Sequence, residues 1–271
     1  MSYQDDLNKH LADYKRQVLR INKQGDFLYR GRSVLLDHIL PLADASRNLF
    51  EEVEMAEHAL PLDQRPKRHR YFHHLNSSQA FAFNLFFPYF AGTPEAASAL
   101  LRALECEGVL ADWAPEKVPV PHEGSNIDVF WWTTDGTSTF CEVKLSEEEF
   151  GKAADDDKHR RKFEKTYFEP LTPHLESGRL DRLVFFDGYQ FYRNVWHMVQ
   201  KERSRLIFLL PRANIGLWRK LEHLMLGVLP LTRARISTVA MEDVIDALRS
   251  DERCPGEMRE YADKLKQKYV I

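Results

Sequence analysis

The stretch IDVFWWTTDGTSTFCEVKL, Ile127 to Leu145, decides the fold. Two runs rich in β-branched and aromatic residues flank a Thr-Thr-Asp-Gly-Thr segment, the pattern of a β-hairpin. On the first strand Ile127, Val129 and Trp131 point one way and Asp128, Phe130 and Trp132 the other. On the second, Phe140, Glu142 and Lys144 share a face opposite Cys141, Val143 and Leu145. Acids on otherwise apolar strands cost desolvation energy unless they are paired or hold a metal. The turn decides whether the acids meet. A two-residue Asp135-Gly136 turn pairs Asp128 with Val143 and puts the acids on opposite faces. A three-residue Thr134-Asp135-Gly136 turn pairs Asp128 with Glu142, with Gly136 as the left-handed third residue. Both turns are compatible with the sequence.

Outward from the hairpin, the pattern alternates between helix and strand. Strands are expected at 113–120, 126–132 and 138–145, forming a meander, with further strands near Leu206–Leu210 and Ile236. Upstream, TPEAASALLRALECEG reads as a helix with Thr93 as cap, Pro94 at its first position and Gly108 past its end. NSSQAFAFNLFFPYF is apolar nearly all round, so it reads as a buried helix capped by Asn76, Ser77 or Ser78 and ended or kinked by Pro88. Helices are also expected at 4–20 (short and exposed), Ser33–Pro41, Glu51–Ala59, 156–168, within 189–203, and at 213–226, 241–249 and 256–268. The expected class is α/β: a central mixed sheet of four or five strands flanked by helices. A helical lead-in over residues 1–70 precedes one main domain over 71–271.

Bulk properties bound the function. The 271 residues carry a net charge of -3 and a hydrophobic share of 44%, enough for a real core. Any basic surface must therefore be local. The three cysteines form no C-x-x-C pair, which suits a reducing compartment. With a polar N-terminus and no apolar run of membrane length, a cytoplasmic chain that does not enter a membrane is expected.

With the three-residue turn, two carboxylates stand about 5 Å apart between Cβ atoms. Like charges that close repel, and a divalent cation resolves the conflict. Mg²⁺ or Mn²⁺ takes such oxygen ligands and keeps waters, one of which can be a nucleophile. Lys144, beside them, can orient or deprotonate that water or offset phosphate charge.

Asp128, then thirteen residues, then Glu142-Val143-Lys144 resembles the PD-(D/E)XK nuclease superfamily, the restriction-endonuclease-like fold. The proline of that motif is missing here; Asn126 and Ile127 precede Asp128. The Ser-Ser-Gln helix around Gln79 and the Gln-x-x-Arg-Asn run from Gln190 to Asn194 look like a bacterial branch of the same superfamily, over roughly residues 70–270. The resemblance implies metal-dependent hydrolysis of phosphodiesters, most naturally in DNA. Asp128 and Glu142 would bind metal with help from the Val143 carbonyl, and Lys144 would position the water. It also implies a further acid near the start of the core, for which Glu116 is better placed than Glu105 or Glu107. Gln79 would then stand at the metal site or scissile phosphate, and Gln190 and Arg193 would grip substrate.

Plainer readings stand beside these. Glu142 and Lys144 can be an ordinary ion pair on an edge hairpin. Gln79 and Gln190 can bond to backbone. Arg193 can be a surface salt bridge. The basic clusters RPKRHR, from Arg65, and KHRRK, Lys158–Lys162, suit phosphates, although Asp155–Asp157 lie beside the second. His69, His73 and His74 lack a Cys or acid at zinc-ligand spacing. Ser78 and Ser146 lack the surroundings of an activated nucleophile. Two rival functions remain: a non-catalytic nucleic-acid-binding or assembly module on the same fold, and a helical structural protein bearing a surface hairpin. Acids on opposite faces of the hairpin would favour the latter.

Overall fold

The structure, a computed structural model, describes residues 2–29, 31–62 and 65–271. Its backbone divides into two compact units, Met1–Leu110 with Val143–Ser146 and Ala240–Ile271, and Ala111–Glu142 with Glu147–Val239.

In the first unit, α1 (Tyr3–Gln17) starts in a capping box between Ser2 and Asp5. It is not merely an exposed helix, because Leu7 and Leu11 are fully buried. The helix expected over Ser33–Pro41 is instead the second strand of a hairpin. β1 (Gly25–Tyr29) pairs antiparallel with β2 (Arg32–Leu36), and Gly31 takes the left-handed turn conformation at φ 78°. Val-Leu-Leu is a short apolar run whose spacing fits either element, and strand pairing decided it. α2 (Glu51–Ala59) forms as expected. α3 (Ser78–Phe90) is capped by Ser77 and buried from Ala80 to Phe90, with Pro88 in its last turn. α4 (Pro94–Ala103) starts at the Thr93 cap.

The second unit carries the sheet: β3 (Leu110–Lys117), β4 (Ile127–Thr133), β5 (Ser138–Val143), β6 (Ser204–Leu210) and β7 (Ile236–Ala240), in that spatial order and mixed in direction. This is the α/β sheet the alternating pattern predicted. The polar segment after β5 forms α5 (Asp157–Lys162), which runs into a π-helical turn, Phe163–Phe168, and then α6 (Glu169–Leu171). α7 (Arg182–Asp187) and α8 (Tyr189–Val199) lead to β6; α9 (Ile215–Met225) and α10 (Pro230–Arg233) lead to β7. The chain ends in α11 (Met241–Ser250) and α12 (Gly256–Tyr269), which belong to the first unit.

α8 is strongly amphipathic, and its apolar side joins the sheet core: Phe191, Tyr192, Val195 and Trp196 cluster with Phe130, Phe140, Phe208 and Leu210. Phe191 stacks on Phe208 at 5.5 Å between ring centroids. Phe130 and Phe140 lie on the same strand faces as Asp128 and Glu142, so α8 covers the side of the sheet that carries the acids.

Candidate active site

The hairpin turn has three residues. The Thr133 N–H donates to Thr137 O at 3.0 Å, the Gly136 N–H donates to Thr133 O at 2.9 Å, and Gly136 has φ 84°. Asp135 locks the loop by accepting from the Thr133 hydroxyl at 2.5 Å and from the Thr137 N–H at 3.2 Å. Those hydroxyl and backbone bonds hold its carboxyl down at about 2. The resulting register pairs Val129 with Cys141 and Phe130 with Phe140. Continued by one residue, it sets Asp128 opposite Glu142, on one face. The arrangement that favoured a purely structural hairpin, with acids on opposite faces, is not the one found.

Glu142 is 1% exposed, and α8 clamps both its oxygens. Gln190 Nε2 donates to Oε1 at 2.5 Å, and Asn194 Nδ2 donates to Oε2 at 2.7 Å. The two amides are four residues apart, hence on one helical face. The start of α8 is fixed by the Gln190 N–H donating to Phe150 O at 3.1 Å. Gly151, at φ 55°, lets that segment approach; a Cβ there would stand 3.3 Å from Gln190 Cβ. Amide donors favour the ionised carboxylate and fix its orientation. Asn194 had no role assigned from sequence, although it closes the Gln-x-x-Arg-Asn run. Its side-chain Oδ1 is buried and has no partner.

Asn126 links two further expected residues just before Asp128. Its Nδ2 donates to Glu116 Oε2 at 2.9 Å, and its carbonyl accepts from Arg193 Nη2 at 3.5 Å. Glu116 has φ 50°, a left-handed conformation that a non-glycine residue keeps only under constraint. Arg193 Nε is buried without a partner. Lys144, 6% exposed, directly follows the end of β5 at the buried Val143. Gln79 grips the first basic cluster: Oε1 accepts from the His69 N–H at 2.7 Å and Nε2 donates to Lys67 O at 3.1 Å.

Among the described residues no three His, Cys, Asp or Glu side chains converge as a metal cage. A metal between Asp128 and Glu142 would therefore rest on two carboxylates, with carbonyl and water ligands completing the shell, as Mg²⁺ accepts. The donor set fits. Both acids supply hard oxygens, and the buried Asn194 Oδ1, without a partner, lies on the amide that holds Glu142.

A second buried carboxylate was not foreseen from sequence. Glu123, whose side chain is wholly buried, sits in the loop before β4. Tyr167 Oη donates to it at 2.5 Å, Lys162 Nζ stands 2.6 Å away, His197 Nε2 lies at 3.2 Å, and Ser125 donates through both its N–H and its hydroxyl. Burial opposes ionisation, but hydrogen bonds from His197, Lys162, Ser125 and Tyr167 outweigh it and hold the carboxyl far below the usual range. Ser125, His197 and Glu123 are not a hydrolytic triad. Serine and acid both meet Nε2, and His197 Nδ1 has no partner. The cluster is a staple joining the loop before β4 to the π-helical turn and α8. Its members lie far apart in the chain, so no local motif reveals it.

The sequence pattern of a protein family described as "Restriction Endonuclease associating with ARP" matches residues 8–270. No curated protein and no solved structure matches. The match spans nearly the whole chain and agrees with the mixed five-stranded sheet flanked by helices, so the chain belongs to this restriction-endonuclease-like family.

Proposed function

We propose that the protein is a metal-dependent nuclease that hydrolyses phosphodiester bonds, most naturally in DNA. The observation that carries the reading is the register of the β4–β5 hairpin, which opposes Asp128 and Glu142, with Glu142 clamped by Gln190 and Asn194. Asp128, Glu142 and the Val143 carbonyl would hold Mg²⁺ or Mn²⁺. Such an ion, when bound, supplies Lewis acidity and lowers the pKa of water. Lys144 would orient the attacking water and offset phosphate charge. Arg193, whose Nη2 reaches only to the Asn126 carbonyl at 3.5 Å, would grip a phosphate oxygen. Glu116, tied to Asn126, would order the approach to Asp128, and Gln79 would act through the segment it holds. No helix among the described residues is long and apolar enough to cross a membrane. The buried thiols of Cys106, Cys141 and Cys254, none in a disulfide, support a cytoplasmic location.

The test is a plasmid-nicking assay with Mn²⁺ on the wild type and on D128A, E142A and K144A. Nicking by the wild type and its loss in all three variants supports the reading. A wild type that retards DNA but never cuts it in Mn²⁺ or Mg²⁺ favours the alternative, a nucleic-acid-binding module on the same fold.

A further inference from the structure

The sequence holds two basic clusters, and the structure treats them differently. Around α5 the cations other than the exposed Lys158 are held by internal partners. Arg160 and Arg182 pair with Asp155 at 2.8 and 3.0 Å, Arg161 Nε donates to Asp157 O at 3.1 Å, and Lys162 pairs with Glu123. The stretch Arg65–Leu75 has no acid of its own. Arg65 caps backbone carbonyls of Leu60 and His58, and Arg68 pairs with Glu57 at 2.7 Å. Lys67 and Arg70 are exposed and make no ion pair among the described residues. Arg70 lies over the Tyr71 ring at 5.5 Å, a geometry that orients the guanidinium while leaving its donor edge open.

The segment is also held rigid without regular secondary structure. Gln79 pins it at Lys67 and His69, and Asn48 Nδ2 donates to the carbonyls of Phe72 and His74, both at 2.7 Å. Tight turns run from His69 O to the Phe72 N–H and from Tyr71 O to the His74 N–H, both 3.0 Å. Two buried or half-buried amides spent on an exposed cationic segment fix its conformation before anything binds, which reduces the ordering cost of binding.

We infer that Lys67 and Arg70 form a preorganised phosphate-contacting surface, at which the protein engages the backbone of a nucleic acid. This rests on the nuclease reading for the identity of the occupant. Cations that are unpaired, exposed and set by neighbours suit phosphates, and such contacts position a nucleic acid without reading its sequence.

The test is fluorescence anisotropy with a short labelled DNA duplex in EDTA, titrated across salt concentrations, for the wild type, K67A/R70A and R160A/R161A. Loss of two phosphate contacts lowers the slope of log K against log salt by about two. The inference expects that drop in K67A/R70A and an unchanged slope in R160A/R161A. It is overturned if K67A/R70A keeps the wild-type slope, if both variants lose slope equally, or if K67A/R70A binds DNA as the wild type does but loses binding of polyglutamate, which would mark the segment as a docking surface for an acidic protein. Nicking in Mn²⁺ is scored separately. DNA binding with the expected slope change but no cutting sinks the nuclease reading alone; cutting without the slope change sinks this inference alone.

Discussion

Removing the amide clamp on Glu142 should cripple metal binding while leaving the fold standing. Asn194→Ala deletes the 2.7 Å bond to Oε2, and Gln190→Ala deletes the 2.5 Å bond to Oε1. Hydrogen bonds to a charged group contribute about 1.5–3 kcal/mol each. Glu142 is 1% exposed, so water does not readily replace a lost donor. The freed carboxylate can rotate away from the orientation a cation needs. Each single variant should therefore bind Mn²⁺ roughly 10- to 100-fold more weakly, the usual cost of losing a partner that orients a metal ligand. The double variant should lose less than the product of the singles, because the two amides act on one carboxylate. Asn194→Asp, nearly isosteric but anionic, should be worse than Asn194→Ala, since it sets a like charge against Glu142. Free Mn²⁺ can be read by electron paramagnetic resonance, with circular dichroism confirming the fold. If the folded Asn194→Ala and Gln190→Ala variants bind Mn²⁺ as tightly as the wild type, α8 does not position a metal ligand, and the reasoning from the clamp is wrong.

Glu123→Ala should destabilise the protein by about 3–5 kcal/mol by leaving buried partners uncompensated, measured as a fall in urea midpoint. Because the folded Glu123 carboxyl is held below its ordinary value of about 4.5, its contribution is full above that pH and is lost as pH falls toward the folded value; the variant's midpoint should accordingly change less between pH 7 and pH 4. Lys268 is fully buried, its Nζ donating to Asn48 O and Oδ1 at 2.6 and 2.9 Å and lying over the rings of Tyr14, Phe50 and Tyr269, and burial pushes its pKa well below the usual 10.5. The unfolded chain then holds a proton the folded chain has lost, so stability rises with pH up to about 10.5; Lys268→Met should abolish that rise in denaturation midpoints taken at neutral and alkaline pH. Gly136→Ala should cost about 1–2 kcal/mol, since φ 84° is strained for any residue with a Cβ even in the open space around it, read as a drop in melting temperature.

Much of the fold was legible because the periodicities were strong and the punctuation unambiguous. Thr93-Pro94 opens α4, Ser77 opens α3, and the switch to alternation after Gly108 marks the sheet. The Ser33–Pro41 region failed because Val34-Leu35-Leu36 is too short to distinguish helix from strand, and its pairing with Gly25–Tyr29 is a tertiary fact. At the site, the residue types and their alternation were visible, but the opposition of Asp128 and Glu142 hung on a turn that Asp135-Gly136 allows in two forms. Thr133 and Thr137 decided it by bonding to Asp135. Asn194 and Glu123 were out of reach for a different reason. A buried polar group is recognised by its partners, and theirs come from other elements of the fold.

The central claim is a divalent cation held between Asp128 and Glu142. Crystals soaked in Mn²⁺ and measured at a wavelength with manganese anomalous signal test it directly. The predicted result is an anomalous peak between the two carboxylates at about 2.0–2.3 Å from the nearest oxygens, absent in crystals of E142A. Full soaks with no peak there, or with manganese only at exposed surface acids, would contradict it and leave Asp128 and Glu142 as structural acids.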